Sequence, residues 1–428
     1  MFCPRRNKHR FLFSLGIGIA IYSAIYLREN IVLYFTAHPK SDSCRSFPQY
    51  CGPFMEEDAP WQKRDCLSES YFTTKEPNCS RIAEELYFIT APLSREEEEY
   101  PLAFIITIHK ELELFMRLLR AIYTPQNIYC IHVDTKSSQQ YMTIVGQLAS
   151  CFPNVFLATT REEVTYAGFS RLKADLNCMA DLARSSIPWK KVINLCGQDF
   201  PVMSNRELVR YLQSKPWNGT NMTPGVKQPS TMMHRTQIQY EEINHSYMAP
   251  KGKTYTKGPP PHNLDIYFGT AYYALTRPFV DFVLRSTVAK DLLEWSRDTY
   301  SPDEHYWVTL NHLKDVPGSH TKGEWEGNIR AVKWKDQEGT KHKGCKGQYV
   351  RDICVFGLAD LPWVIAKNSM FANKFERQIF PEAVDCLELW HRQKVLQEAD
   401  VPIQPEWRLT TSRVSNQTLV EPATVAGR

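Results

Sequence analysis

The chain opens with an uncharged, mostly apolar run over residues 11–27, with Arg10 before it and Arg28 after it. This length is near the lower limit for a membrane-spanning helix, and further basic residues precede the run, as in anchors whose amino terminus stays cytoplasmic. The pattern predicts a cytoplasmic tail over 1–10, a signal-anchor helix over 11–27 and a lumenal location for the rest, which is type II topology. A cleaved signal peptide is the alternative, but no small-residue cleavage pattern closes the run.

From residue 86 onward, apolar runs alternate with stretches of helical periodicity. The apolar runs predict strands, and the periodic stretches between them predict helices. The predicted strands are Leu102–His109, Ile128–Val133, Val155–Leu157, Lys191–Leu195 and Ile266–Leu275, and the predicted helices cover 111–122, 137–149, 169–185, 277–286, 289–297, 302–312 and 381–397. The alternation predicts an α/β domain with a mostly parallel sheet, in which ligands gather at the carboxyl ends of the strands.

Where this periodicity is lost, the chain divides further. Residues 28–85 are rich in proline and cysteine, which predicts a lumenal stem, and 86–408 are expected to form one catalytic domain. Within that domain, 216–262 and 316–350 predict long loops, the first of them over a cleft. Residues 409–428 are a polar tail.

Composition narrows the class of protein. With 51 basic and 47 acidic residues and no basic block mixed with aromatics, nucleic-acid binding is not indicated. Twelve cysteines are many for a cytosolic enzyme, and in an oxidising lumen they predict disulfides rather than structural zinc. Cys3 alone precedes the apolar run, so the number beyond it is odd; Cys196 is the candidate free thiol, and a covalent homodimer is permitted. Sequons for N-glycosylation, which agree with a lumenal location, occur at Asn78, Asn218, Asn221, Asn244 and Asn416.

Two patterns place carboxylates at positions suited to chemistry. Ser301-Pro302-Asp303-Glu304 has the spacing of a capping box, which predicts a helix start with Glu304 reaching back to the amide of Ser301. Asp134 and Asp199 each follow an apolar strand, where a parallel sheet places ligand-binding carboxylates. Solvated acids at strand ends are the alternative interpretation for both aspartates.

A metal site is not indicated. No two aspartates in the chain are separated by a single residue, so it lacks the Asp-x-Asp pair with which many sugar-nucleotide transferases hold a divalent metal. If the ligand is a nucleotide diphosphate, Arg351 and Lys374 are candidate cations to neutralise it in place of a metal. Ordinary surface ion pairs are the alternative for these two side chains.

Several ordered stretches are distinctive when taken together: Ala91–Ser94, Arg120–Asp134, Ala174–Cys178, Asp298–Glu304 and Phe371–Phe375. On these stretches, the chain resembles the Golgi β-1,6-N-acetylglucosaminyltransferases of glycosyltransferase family 14. Residues 221–226, 259–269 and 404–407 are more similar to the I-branching than to the core 2 enzymes of that family.

The resemblance implies a GT-A-like fold and an activity. The family transfers GlcNAc from UDP-GlcNAc with inversion and without a metal, to a 6-hydroxyl of galactose or GalNAc on glycoprotein or glycolipid glycans. By motif, the residues carried over are Glu304 as general base, Arg351 and Lys374 as cations on the leaving diphosphate, His109, Asp134 and Tyr166 at the nucleotide, and Arg235 and Trp334 at the acceptor. The Golgi membrane and glycan acceptors are then the expected partners.

The family's disulfide pattern implies the pairs Cys79–Cys151, Cys130–Cys178, Cys345–Cys354 and Cys44–Cys386, with Cys196 free. Cys51 and Cys66 are additional and are candidates to pair with each other.

The acceptor side departs from the core 2 pattern. The loop Thr231–Arg235 retains only Arg235, and Asp336 replaces a tyrosine found two residues after the tryptophan that matches Trp334. Branching of poly-N-acetyllactosamine is therefore favoured over core 2 branching, with another acceptor as an open alternative. A non-catalytic Golgi protein that binds glycans or partner proteins is a hypothesis of a different class, and retention of Glu304 with both cations argues against it.

Overall fold

The computed structural model describes Cys51 and residues 78–252, 256–325 and 327–409. The predicted cytoplasmic tail and anchor, most of the stem and nearly all of the polar tail lie outside these residues, as do Cys44, Cys66 and Asn416. Within the described ranges, no helix combines the length and the apolar character needed to cross a bilayer.

Strands and helices alternate through the first half of the described chain. In chain order, the strands are β1 Leu102–Ile108, β2 Ile128–Val133, β3 Val155–Leu157, β4 Lys191–Cys196, β5 Asp199–Pro201, β6 Gly225–Lys227, β7 Tyr240–Ile243, β8 Tyr247–Pro250, β9 Tyr267–Gly269, β10 Ala274–Thr276, β11 Arg330–Ala331, β12 Gln348–Val350, β13 Ile353–Val355 and β14 Phe371–Asn373. The α-helices are α1 Cys79–Glu85, α2 Arg95–Glu98, α3 Leu112–Ile122, α4 Gln139–Ser150, α5 Phe169–Ala183, α6 Asn205–Gln213, α7 His234–Gln237, α8 Arg277–Arg285, α9 Thr287–Trp295, α10 Tyr306–Asn311, α11 Leu361–Lys367 and α12 Pro381–Gln397.

Within the described part of the chain, the main sheet has five strands in the order β10-β4-β1-β2-β3. The four strands from β4 to β3 in that order are parallel, and β10 joins β4 antiparallel. The prediction of a mixed, mostly parallel sheet is therefore confirmed. Ile108 at the end of β1 lies opposite Val133 at the end of β2, so the two loops that follow these strands start side by side.

Packing on both faces of the sheet explains why the sequence of β1 is almost entirely apolar. Phe104 and Ile106 pack on one face with residues of α3 and α4, while Ala103 and Ile105 pack on the other with residues of α5 and α8. All four are fully buried. Successive side chains of a strand point to opposite faces, so a strand covered by helices on both sides is apolar on both faces, and Thr107 is the one polar residue of β1.

A buried ion pair joins the main sheet to the three-stranded sheet β11-β14-β5 found in the described residues. The carboxylate of Asp199 is completely buried, and it accepts from the Cys196 amide at 2.8 Å and from Asn373 Nδ2 at 3.0 Å. Arg330 Nε and Nη2 each donate to it at 3.2 Å. The expectation that Asp199 is a ligand-binding or solvated acid at a strand end is wrong, because it lies within β5 and its oxygens are used inside the protein.

Three predicted elements differ from the structure. The predicted strand Ile266–Leu275 is two strands: β9 pairs with β6, and β10 pairs with β4 in the main sheet. The predicted loop 216–262 includes a hairpin, β7–β8, whose turn places Asn244 and His245 at positive φ, a conformation that asparagine tolerates. The predicted helix 302–312 begins later, at Tyr306.

The structure contains the disulfides Cys79–Cys151, Cys130–Cys178 and Cys345–Cys354 that the resemblance implied. The fourth pair is Cys51–Cys386, so the expected pairs Cys44–Cys386 and Cys51–Cys66 are wrong. The sulfur of Cys386 on α12 is already bonded to Cys51 and therefore cannot pair with Cys44. Among the described cysteines, Cys196 is the one without a disulfide.

The sequons in the described residues differ in how exposed their asparagine side chains are. Asn78, Asn218 and Asn244 are exposed, whereas Asn221 is completely buried. Asn221 Nδ2, the atom that would carry a glycan, donates to Asn311 Oδ1 at 3.1 Å and to Pro317 O at 2.9 Å. A glycan there would displace both bonds, so the prediction of Asn221 as a glycosylation site is wrong for the folded chain.

Replacing Asp199 by asparagine should destabilise the protein strongly. The change leaves the buried guanidinium of Arg330 without its counter-charge, which typically costs about 3–5 kcal/mol. Chemical denaturation of wild type and variant measures the difference in the free energy of unfolding. Asp265, about two-thirds exposed and paired with Lys227, is the matched control, and Asp265→Asn should cost at most about 1 kcal/mol. Equal effects of the two substitutions would contradict this structural role of Asp199.

Candidate active site

Glu304 lies in a single turn of 3-10 helix, Pro302–Glu304, just before α10. Ser301 precedes this turn with a left-handed backbone (φ 47°), and its amide donates to Ala167 O at 2.8 Å. Among the described residues, the Ser301 hydroxyl makes no capping hydrogen bond, so the predicted capping box is wrong. The left-handed residue turns the chain before the helix starts. Glu304 is therefore not engaged in capping, and its carboxylate points to other partners.

The partner of Glu304 is Arg235, which lies in the short helix α7. Arg235 Nη1 donates to Glu304 Oε2 in an ion pair. The Arg235 guanidinium lies over two aromatic rings, 5.2 Å from the centre of Phe268 and 5.3 Å from that of Tyr300. These rings restrict its position by cation–π contact. Its buried Nε has no hydrogen-bond partner among the described residues, so one donor remains available beside the carboxylate.

Burial raises the pKa of Glu304 to about 7. Desolvation is the largest cause, and the neighbouring carboxyl of Asp303 adds to it, while the positive charge of Arg235 and its hydrogen bond oppose both. A carboxylate with a pKa near neutrality accepts a proton far more readily than an ordinary surface glutamate. The site thus holds a group suited to general-base chemistry at physiological pH.

Tyr166 contacts Arg351 and lies within electrostatic reach of the Glu304–Arg235 pair. Its side chain is 57% exposed, and the Arg351 guanidinium carbon lies 4.9 Å from its ring centre. Partial burial raises the pKa of Tyr166, as do Tyr300 and Glu304, whereas the charges of Arg351 and Arg235 lower it. The predicted base and the predicted diphosphate cation are therefore both within electrostatic reach of the Tyr166 hydroxyl.

His109 and Asp134 lie at the carboxyl ends of β1 and β2. The Asp134 amide donates to Ile108 O at 3.0 Å, which holds the two strand ends together. Asp134 is buried and accepts from the amide of Lys136 at 2.9 Å, whereas His109 is exposed. Partial burial lowers the pKa of His109, and Lys110 and Arg351 lower it further, while Asp134 raises it. Both residues therefore lie at the predicted edge, within electrostatic reach of the site.

Lys374 follows β14 and is buried, with its Nζ 4.0 Å from Glu376 Oε1. Burial lowers its pKa, the charges of Lys110 and Arg351 do the same, and Glu376 opposes them. Phe356 donates its amide to Lys374 O at 3.0 Å, which ties Lys374 to the segment after β13. The two predicted cations are thereby brought into one electrostatic neighbourhood.

Trp334, the other predicted acceptor residue, is 40% exposed and lies near Arg351. It forms an isolated bridge with Ile353, and the amide of Lys335 donates to Asp352 O at 2.9 Å. The hydrogen bonds and ring contacts of the described residues do not connect Trp334 to Arg235. The two predicted acceptor residues are thus supplied by separate parts of the site.

Asp360, which sequence reasoning missed, fixes the loop before Arg351. Its completely buried carboxylate accepts from Lys333 Nζ at 2.6 Å and from the amides of Gly347 and Gly357 at 2.9 and 3.1 Å. Among the described residues, the one group with suitable spacing for a metal is Cys345, Cys354 and Asp360. The two cysteines are disulfide-bonded and the carboxylate is engaged, so this group is a structural cluster.

Two aromatic residues of the site, Phe268 and Tyr300, were also missed. The available signal was their position inside stretches that carry the family resemblance, 259–269 and Asp298–Glu304. Nothing in the local pattern indicates that either ring contacts Arg235, because the contact joins segments that are distant in sequence.

A site that contains an acid of raised pKa and two cations is suited to group-transfer chemistry, and the family comparison identifies the class of protein as a glycosyltransferase. The sequence model of the Core-2/I-branching enzyme family matches residues 102–365, and the chain belongs to that family. This confirms the family inferred from the motifs and shows that the protein is an enzyme.

Curated relatives agree with the family. The "probable beta-1,3-galactosyl-O-glycosyl-glycoprotein beta-1,6-N-acetylglucosaminyltransferase 7" of Sus scrofa is 48% identical over an alignment of 432 positions. The alignment covers 97% of this chain and 99% of the relative. Its Homo sapiens counterpart is 50% identical and covers 91% of this chain and 93% of its own length. The Homo sapiens "N-acetyllactosaminide beta-1,6-N-acetylglucosaminyl-transferase" is 51% identical over 336 residues, covering 78% of this chain and 83% of the relative.

Substitution of Arg235 by glutamine should move the pKa of Glu304 above its wild-type value of about 7. The guanidinium lowers that pKa by its charge and by its hydrogen bond, so removing it favours the protonated carboxyl. Infrared difference titration of the carboxyl band, with Glu304→Gln to assign it, measures the shift. Arg235→Lys keeps the charge and should give a smaller increase. A pKa that stays constant in both variants would show that the ion pair does not set the protonation of Glu304.

Proposed function

We propose that this enzyme is an inverting, metal-independent β-1,6-N-acetylglucosaminyltransferase with a GT-A-like fold. It transfers GlcNAc from UDP-GlcNAc to a 6-hydroxyl of galactose or GalNAc on glycoprotein or glycolipid glycans. The observation that carries the proposal is the raised pKa of the Glu304 carboxylate, which lies within electrostatic reach of Tyr166, the residue that the Arg351 cation contacts. The names of the relatives, both β-1,6-N-acetylglucosaminyltransferases, support the sugar and the linkage.

In this mechanism, Glu304 takes the proton of the acceptor hydroxyl as that oxygen attacks the anomeric carbon from the face opposite UDP. The bond between that carbon and the diphosphate oxygen breaks, and its electron pair leaves with UDP, so an α-linked donor gives a β-linked product. Arg235 is an acceptor contact in this mechanism, and its ion pair keeps part of the Glu304 population ionised.

The leaving diphosphate requires positive charge, and Arg351 and Lys374 provide it in place of a metal. Support for this role is the electrostatic coupling of the two side chains and the lowered pKa of Lys374, typical of a cation held without a full counter-charge. His109, Asp134 and Tyr166 complete the donor side as nucleotide contacts.

For the acceptor, we favour poly-N-acetyllactosamine chains over core 1 O-glycans, with Arg235 and Trp334 as contacts. The 51% identity to the N-acetyllactosaminide enzyme supports this choice. We place the protein in the Golgi membrane with type II topology and a lumenal catalytic domain. The apolar run at residues 11–27 and the exposed sequons, such as Asn218 and Asn244, support that location.

Substitution of Glu304 by glutamine should reduce kcat about 100- to 10,000-fold, because it removes the general base while keeping the side-chain shape. The measurement is transfer from labelled UDP-GlcNAc in EDTA to core 1 and poly-N-acetyllactosamine acceptors, with linkage analysis of the product. Glu241→Gln, at an exposed position of β7, is the matched control and should retain wild-type activity.

Three outcomes would contradict parts of this proposal. Activity of Glu304→Gln close to that of wild type would remove the assigned base. Wild-type transfer that disappears in EDTA and returns with a divalent metal would contradict metal independence. Binding of UDP and glycan by the wild type without any transfer would favour the non-catalytic alternative or another acceptor.

Substitution of Lys374 by methionine should weaken UDP binding about tenfold to a hundredfold, the usual effect of losing one hydrogen bond to a charged group. Isothermal titration calorimetry with UDP measures the change. Lys290→Met, at an exposed position of α9, removes the same charge on the protein surface and should leave the affinity within about twofold. Equal affinities of all three proteins would show that Lys374 does not contact the diphosphate.

A further inference from the structure

Trp325 is an exposed tryptophan held next to the site. Its side chain is 52% exposed, although tryptophan is a residue that folding usually covers. The preceding residue, Glu324, accepts a hydrogen bond at 2.9 Å from the amide of Gly225 on β6. Because β6 pairs with β9, this bond places Trp325 beside the strand that carries Phe268.

The Trp325 and Phe268 rings meet edge to face, with their centres 6.1 Å apart and their planes at 70°. The same Phe268 ring lies 5.2 Å from the guanidinium carbon of Arg235, which in turn holds Glu304. These four side chains form a continuous row from the carboxylate to an exposed indole.

The close approach of β6 and β9 fixes this row. A side chain at Gly225 would place its Cβ 2.6 Å from Phe268 O, and one at Gly269 would place it 2.3 Å from Pro224 O. Only glycine allows such an approach of two backbones. The platform formed by Trp325 and Phe268 is therefore set by the backbone, and its indole is positioned before any ligand arrives.

An indole face and the apolar C–H face of a sugar ring are complementary, and a preformed aromatic surface binds at a low entropic cost. We propose that Trp325, supported by Phe268, forms a second acceptor subsite that binds a sugar ring of the acceptor chain beyond the residue that receives GlcNAc. This inference rests on the proposed transferase function. It makes the substrate an extended oligosaccharide, because the Arg235 and Phe268 side chains stand between Glu304 and the indole in this row.

The test compares a disaccharide and a hexasaccharide of N-acetyllactosamine units, with linkage analysis of the products to identify which galactose receives GlcNAc. In the full-length protein in detergent, Trp325→Ala should raise KM for the hexasaccharide about threefold to tenfold more than for the disaccharide. Its effect on kcat should stay within about twofold, and Trp325→Phe should recover most of the affinity. Trp390→Ala, a tryptophan on α12 that packs with Lys394, controls for loss of an indole elsewhere.

Calorimetric titration of the hexasaccharide without donor gives a second readout that does not depend on turnover. A loss of affinity in Trp325→Ala, restored in Trp325→Phe, supports the subsite even if no transfer is detected, which would then count against the proposed function alone. Equal changes of KM for the two acceptors, or unchanged hexasaccharide affinity in Trp325→Ala, would overturn the inference.

Discussion

The buried carboxylate of Asp199 is the constraint on which the geometry of the site depends. It bonds to the end of β4 through the Cys196 amide, to β11 through Arg330 and to β14 through Asn373. Lys374 is the next residue after Asn373. The Asp199 cluster, which has no direct role in the proposed chemistry, therefore ties the backbone beside Lys374 to the main sheet. Charge burial of this kind is costly unless every partner is present, which makes the arrangement specific as well as stable.

Glu304 is held by different interactions. Burial and the ion pair with Arg235 act in opposite directions on its pKa. The left-handed residue before the turn and the aromatic rings around Arg235 keep the carboxylate in a partly buried place, which raises its pKa. Arg235 opposes that effect through its charge. Neither burial nor the ion pair alone would leave the group near neutrality: burial alone favours the protonated acid, and a fully solvated ion pair favours an ordinary carboxylate of low basicity.

The sequence predicted the parts of the structure that follow from local periodicity. The strand ends at His109 and Asp134 were found because β1 and β2 are apolar on both faces and parallel strands align their carboxyl ends. The role of Asp199 was misjudged because a buried ion pair depends on Arg330, more than a hundred residues away, and no local pattern reports such a partner. The bond of Cys51 to Cys386 was missed for the same reason: it joins a cysteine of the predicted stem to α12. Family motifs identified Glu304 and the two cations as candidate site residues. The neighbours that shift the pKa of Glu304 and of Lys374 were visible only in the fold.

The difference between residues that the sequence predicted and residues that only the fold revealed has a physical basis, and it also bears on substrate specificity. The proposed donor-side residues His109 and Asp134 follow strands whose register is fixed by a core buried on both faces, and a one-residue slip there would expose the whole strand pattern. The proposed acceptor residue Arg235 lies in the short helix α7, and Phe268 lies in β9, which pairs with β6 rather than with a strand of the main sheet. Change in those elements disturbs the core little. The residues proposed to define the acceptor are therefore the ones that the sequence pattern leaves least determined.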